Sequence, residues 1–130
     1  MGQPAAKQGD KIAAKDTHIV MIPSPGGAVP TPVLHPFMGI IDGGLSPDVN
    51  IMGMPAATVD STAGNTPPHV PQGGPFKSRP SNKATIKAGS PTVKINGKMA
   101  ARNMDMAMTC NDPADLPNGK VIAAGTVTIG

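Results

Sequence analysis

Gly97-Lys98-Met99-Ala100-Ala101-Arg102 has two earlier counterparts in the chain, Gly2-Gln3-Pro4-Ala5-Ala6-Lys7 and Gly53-Met54-Pro55-Ala56-Ala57-Thr58. Each copy reads Gly-x-[Pro/Met]-Ala-Ala and then a polar or basic residue, and Asp10, Asp60 or Asp105 follows within three positions. His18 falls fourteen residues after Pro4, His69 fourteen after Pro55, and Cys110 eleven after Met99. Ala-Ala recurs at 13–14 and 123–124 without the preceding frame, so the dipeptide alone means little. Three framed copies, each trailed by a metal-ligating side chain, point to three arms converging on one ion. For any single histidine, an ordinary solvated loop position is the competing reading.

The remaining composition says why a staple, a metal or assembly, is expected. The chain has 130 residues, 16 Gly, 16 Pro, two Phe, no Trp and no Tyr. Aromatic rings, which each bury about 150–250 Å², are thus nearly absent. A small loop-rich domain with a modest core usually relies on a disulfide, a metal or assembly. One cysteine excludes an intrachain disulfide. The net charge of +3 is spread from Lys7 to Lys120 with no run and no interleaved aromatics, which argues against nucleic acid as a partner. Apolar stretches are broken by Pro or Gly well short of the ~20 residues of a membrane span, and the N-terminus lacks a basic-then-apolar signal pattern. The expectation is synthesis in the cytoplasm with no signal peptide.

Along the chain, His18-Ile19-Val20-Met21-Ile22 reads as a strand ending at Pro23, with a short helix at 11–16 as an open alternative. Residues 23–36 carry five prolines and are expected to be extended or turning, with His35 held extended before Pro36. Asp42-Gly43-Gly44 marks a turn between two short strands within 37–52. Alternation at Ala84–Ala88 and Thr92–Ile95 around Gly89-Ser90-Pro91 reads as a hairpin. Met99, Met104, Met106 and Met108 read as adaptable core packing rather than a thioether copper site. Val121, Ile122, Val127 and Ile129 point to one last strand.

The chain holds three histidines and one cysteine, His18, His35, His69 and Cys110. Three imidazoles and a thiolate complete a tetrahedral set for one zinc ion and leave no open position; iron or copper could use the same donors. Such a site would tie distant parts of the chain together, and its binding energy would be folding energy.

The framed copies, the stretch Thr92-Val93-Lys94-Ile95-Asn96-Gly97-Lys98-Met99-Ala100-Ala101-Arg102 and the His/His/His/Cys inventory resemble the PAAR-repeat proteins. These cap the spike of contractile injection machines, type VI secretion systems and related phage-tail-like particles. The resemblance implies a mostly β, single-domain, pseudo-threefold cone over residues 1–130, with short strands, Pro/Gly-rich loops and no effector extension. Its structural zinc would be held by His18, His35, His69 and Cys110. It implies a non-enzymatic tip, one per trimer of a VgrG-like or phage hub-like spike protein, linking effector cargo and touching the target membrane as it pierces. The protein would be made in a bacterial cytoplasm and delivered into or across the target envelope. The sequence departs from the family pattern where Lys7 and Thr58 replace Arg and Met99 replaces Pro.

Two other classes compete. A small zinc hydrolase would use His18, His35 and His69 as ligands, a water in the fourth position and Asp60 or Asp105 as base. A redox or metal-storage protein would use Met and Cys. The apolar strand over 121–129 is the expected docking base, with Val127 and Ile129 as its test positions.

Overall fold

The computed structural model describes residues 2–130. Twelve strands and no helix are formed among them, and so no helix is long and apolar enough to cross a membrane. Six strands close an antiparallel barrel in chain order: β2 (Lys11–Ile22), β3 (Val29–Gly43), β6 (Thr62–Asn65), β7 (Lys83–Ile86), β10 (Met106–Thr109) and β11 (Leu116–Ile122). Three two-stranded ribbons stand beside it. They are β4 (Asn50–Ile51) with β5 (Met54–Pro55), β8 (Lys94–Ile95) with β9 (Lys98–Met99), and β12 (Thr128–Ile129) with β1 (Gln3–Pro4).

The ribbons are the motif copies, and their registers are equivalent. Asn50 faces Pro55, Lys94 faces Met99 and Thr128 faces Pro4. Met52-Gly53 and Asn96-Gly97 turn the first two, each with positive φ at both residues, the conformation of a tight two-residue hairpin. The third ribbon joins segments from the two ends of the chain.

Downstream of each ribbon the copies bond to one another in a ring. The Ala6 N–H donates to Ala101 O (3.0 Å), Ala101 to Ala57 O (3.1 Å), and Ala57 to Ala6 O (3.0 Å). A second ring one step further on runs Gln8 to Pro55, Val59 to Met99 and Asn103 to Pro4. The first alanine of each pair (Ala5, Ala56, Ala100) packs with Ile51, Ile95 and Ile129 in a small outer cluster. The second (Ala6, Ala57, Ala101) packs into the barrel core with Ile12, Phe37, Ile41 and Ile86. All six alanines are at most 2 % exposed. Close three-way approach of backbones leaves room for a methyl and little more, which is why the motif specifies Ala-Ala.

The residue after Ala-Ala starts a turn. The side chain three positions on accepts its N–H: Asp10 for Lys7, Ser61 for Thr58, Asp105 for Arg102. Ser61 therefore stands where the other copies have Asp. Asp60, the sequence-matched residue, occupies the left-handed position shared with Gly9 and Met104.

Several local expectations change. Residues 11–16 are strand, because β2 runs unbroken from Lys11. The proline-rich stretch takes the extended of its two expected forms, as strand from Val29 on. Pro30, Pro32 and Pro36 lie in β3, where β2 is the neighbour on one side and β6 pairs only beyond Gly39. Even-numbered nitrogens there face away from β2, as Met38 shows by bonding Asn65. Prolines at those positions remove no ladder bond. The hairpin read across Gly89-Ser90-Pro91 is absent, since β7 pairs with β6 and β10 while β8 pairs with β9. No hairpin forms at Asp42-Gly43-Gly44 either; there the chain leaves the barrel for the β4 ribbon. The final stretch 121–129 is two strands, with Val121 buried in the barrel and Ile129 in the outer cluster. Met104 and Met106 are exposed rather than core residues.

Candidate metal centre

Side chains alternate along β2, so Ile12, Asp16, His18 and Val20 all point inward. On β3 the inward set is His35, Phe37 and Ile41, with Asp16 directly opposite His35. The barrel interior thus divides. Near the ring it is apolar and small-residue rich. Glycines make space there: a Cβ on Gly39 would lie 2.7 Å from the Phe37 ring, and one on Gly119 would lie 2.8 Å from Thr109 Cγ2. Further along the strands the interior turns polar, with Asp16, His18, His35, Asn65, Thr109 and Asn111 all buried.

His69 follows β6 and Cys110 follows β10, and both fold over this polar end. The four residues expected as ligands come together there. The imidazole centroids of His18, His35 and His69 are separated by 5.7, 4.9 and 5.5 Å, and Cys110 Sγ lies 3.6 Å from His18 Nε2. Phe76 packs against His18 and His35 with centroids 5.8 and 5.4 Å away and covers one side of the cluster.

Asp16 is the residue that sequence reading missed. It is fully buried, and its Oδ1 accepts from Thr109 Oγ1 at 2.6 Å. Its Oδ2 lies 2.9 Å from His69 Nε2 and 3.4 Å from Cys110 Sγ. One donor atom each from Asp16, His18, His69 and Cys110 all fall within 4.8 Å of one another, a set that can hold one metal ion. At the tetrahedral angle, atoms bound to one ion at about 2.0–2.3 Å stand about 3.3–3.8 Å apart; the Cys110 separations of 3.4 and 3.6 Å lie in that range, whereas the 2.9 Å between His69 and Asp16 is a hydrogen-bond distance. His35 stands outside that tight quartet, although its Nε2 is buried without any partner. The signal for Asp16 was its two-residue spacing from His18, which on a strand puts both on one face.

Asp60 and Asp105, the expected candidates for a general base, are elsewhere. Asp60 is half-exposed near Lys87 and Lys98, and Asp105 is clamped by Arg102 at 2.9 Å. Asp112 is the other carboxylate nearby, its Oδ2 accepting from the Ile19 N–H at 2.8 Å and lying 3.7 Å from His18 Nδ1.

Cys110, His18 and Asp112 form a line that superficially suits an activated thiol. The electrostatics oppose that role. Burial, and then the Asp16 carboxylate, push the Cys110 thiol up to about 11. Burial first, and His69 second, hold His18 below its ordinary value. Without metal the thiol keeps its proton and donates it to Asp16, whereas nucleophilic cysteines sit in electropositive, part-exposed surroundings. A divalent cation taking the place of that proton would turn the same group into a thiolate ligand.

Neither protein-family models nor curated proteins give a match to this chain.

Proposed function

We propose that this chain is a structural tip for the trimeric central spike of a contractile injection machine, of type VI secretion or phage-tail-like kind, and turns over no substrate. The ring of hydrogen bonds among Ala6, Ala57 and Ala101 carries this reading. A single chain that caps a threefold partner must offer three near-equivalent faces, and the ring with its three ribbons supplies them at one end of the barrel. In this reading the ring end is the base of a pseudo-threefold cone and the histidine cluster lies toward its point. One zinc ion cross-links the polar end, so that a part driven through an envelope resists unravelling. The donor types, imidazole, thiolate and carboxylate, suit zinc better than magnesium or calcium, with iron less favoured. Synthesis in a bacterial cytoplasm, carriage of cargo and transient contact with the target membrane follow from the same reading.

The docking base becomes more specific than the C-terminal strand. Val49, Val93 and Val127 occupy equivalent places, each carbonyl accepting from the first alanine of a motif copy. Val49 is 37 % and Val127 40 % exposed, whereas Ile129 is 7 % exposed and belongs to the outer cluster. Charge at Ile129 would unfold the ribbon and say little about docking. The test is assembly with the machine's spike trimer, followed by light scattering. One tip per trimer is expected, lost in Val49→Glu and Val127→Glu proteins that keep the wild-type melting temperature. Unchanged assembly by both variants would refute this base.

One observation favours the hydrolase reading. A groove of about 310 Å³ is walled by His35, His69, Met38, Pro67 and Val70, and it would give a substrate access to the ion. Zinc-loaded protein that hydrolyses an activated ester with a pH-dependent rate, abolished by chelation, would replace the structural reading with this one.

A further inference from the structure

We propose that Asp16 is itself a ligand of the metal, and that His69 stands outside the coordination shell and holds the carboxylate in position. This rests on reading the cluster as a metal centre, and it departs from the ligand set that the family resemblance implies.

Asn65 fixes the assignment. Its Oδ1 accepts the Met38 N–H at 2.9 Å, so its NH₂ group lies on the other side of the amide. There Nδ2 is 3.4 Å from Asn82 Oδ1, an oxygen that also accepts the His69 N–H at 2.8 Å. The same Nδ2 is 3.2 Å from His69 Nδ1. A donor facing Nδ1 makes that nitrogen the acceptor, and a neutral imidazole then carries its proton on Nε2. His69 Nε2–H donates to Asp16 Oδ2 at 2.9 Å. In this network His69 has no lone pair to give an ion.

The other two histidines are oriented the opposite way. His35 Nδ1 donates to Val33 O at 3.0 Å, which leaves a bare lone pair on its buried, unpartnered Nε2. His18 has the Asp112 carboxylate 3.7 Å behind Nδ1 and Cys110 Sγ 3.6 Å in front of Nε2. A carboxylate behind a ring is the usual outer partner of a ligating histidine. Cys110 and His18 thus supply two donors, His35 Nε2, which stands outside the quartet, supplies a third once its ring closes on the ion, and Asp16 is the remaining group able to supply a fourth. It faces His35 across the β2–β3 ladder, and its Oδ2 has one lone pair for the His69 N–H and another for the ion. Metal binding also makes Cys110 a thiolate 3.4 Å from that oxygen. Two buried anions at that distance need a cation between them.

The test uses the full chain, nitrogen-labelled and loaded with one equivalent of NMR-active cadmium. Cadmium couplings to Nε2 of His18 and His35 and to the Cys110 methylene are expected, with none to His69, whose Nε2 keeps its proton. A coupling to His69 Nε2 would overturn this proposal and leave the metal centre standing. Folded protein that takes up no cadmium or zinc would overturn both. As a second arm, His69→Gln, which keeps an N–H donor, should retain one zinc per chain through gel filtration, and Asp16→Asn should not. Loss of zinc from His69→Gln but not from Asp16→Asn would reverse the assignment.

Discussion

Valine placed at Ala6, Ala57 or Ala101 tests the ring where it is tightest. Each of these residues is 0 % exposed, each gives its N–H and its carbonyl to the ring at 3.0–3.1 Å, and each methyl lies in the barrel core. The substitution adds two carbons at a point where three backbones meet and no solvent-facing side exists to take them. Overpacking a filled core costs about 1–3 kcal/mol. Against a total stability of about 5–15 kcal/mol, and with each kcal/mol worth about 3–5 °C for a domain of this size, the melting temperature should fall by about 3–15 °C. Calorimetry with excess zinc throughout keeps the ligand contribution constant. Ala13→Val is the control, since Ala13 is half-buried in β2, and a β-branched residue suits a strand. The three ring variants should lose similar amounts, within about 1 kcal/mol, because their surroundings are equivalent. A fall below about 2 °C at any one of them would show that the ring is not close-packed and would remove the reason for Ala-Ala in the motif.

Two further outcomes follow from single positions. Met104 has φ of 73° where the first copy has Gly9 at 93°. It is exposed, so Met104→Gly should raise stability by about 0.5–1 kcal/mol by relieving the left-handed strain; urea denaturation checks this, and a loss would count against the equivalence of the copies. In metal-stripped protein His18 sits below its ordinary 6.5, so the unfolded chain takes up the proton first. Stability from His18 is complete above about pH 6.5 and falls with acid, by at most about 1.4 kcal/mol per pH unit. Cys110 at about 11, against an ordinary 9.0, has the opposite sense and loses stability between those values as pH rises. A chelated protein equally stable at pH 4.5 and 7.5 would contradict this environment for His18.

The sequence revealed the three copies and a mostly β character, and it singled out His18, His35, His69 and Cys110, whose side chains do lie near one another, because each leaves a local mark. The copies share a frame, turn residues bound the short apolar runs, and the donor residues are few enough to count. What went unread depends on pairing partners. The frame is longer than six residues: Ser46-Pro47-Asp48-Val49-Asn50-Ile51 and Ser90-Pro91-Thr92-Val93-Lys94-Ile95 precede copies two and three, and Ala124 to Ile129 fills the same place for copy one. Ser46 and Ser90 hold equivalent turns, each hydroxyl accepting two backbone N–H groups. That third element lies at the far end of the chain from the motif it serves, so scanning upstream of Gly2 misses it. Asp16 was hidden because its inward direction follows only once β2 is known to begin at Lys11. The prolines of β3 read as extended or turning but not as a paired strand, because their tolerance in a ladder depends on an absent neighbour.

The two ends of the barrel are held by different physics, and this explains why their sequences look unlike. At the ring end the three copies meet backbone to backbone, so the side chains at the meeting point need only be small, and the three copies stay alike. At the other end burial alone cannot hold the structure, because the interior is a carboxylate, three imidazoles and a thiol. Two of its nitrogens, His18 Nδ1 and His35 Nε2, have no hydrogen-bond partner. Leaving such groups unpaired costs about 1–3 kcal/mol each, and a chain with two aromatic residues has little apolar area to offset it. In the proposed centre an ion takes the His35 Nε2 lone pair and turns that liability into a cross-link, while His18 Nδ1 keeps its proton toward Asp112. Such an ion would also break the repeat: it would take one donor from each direction, so the three arms would differ where they meet it, as histidines, a carboxylate and a thiol do here.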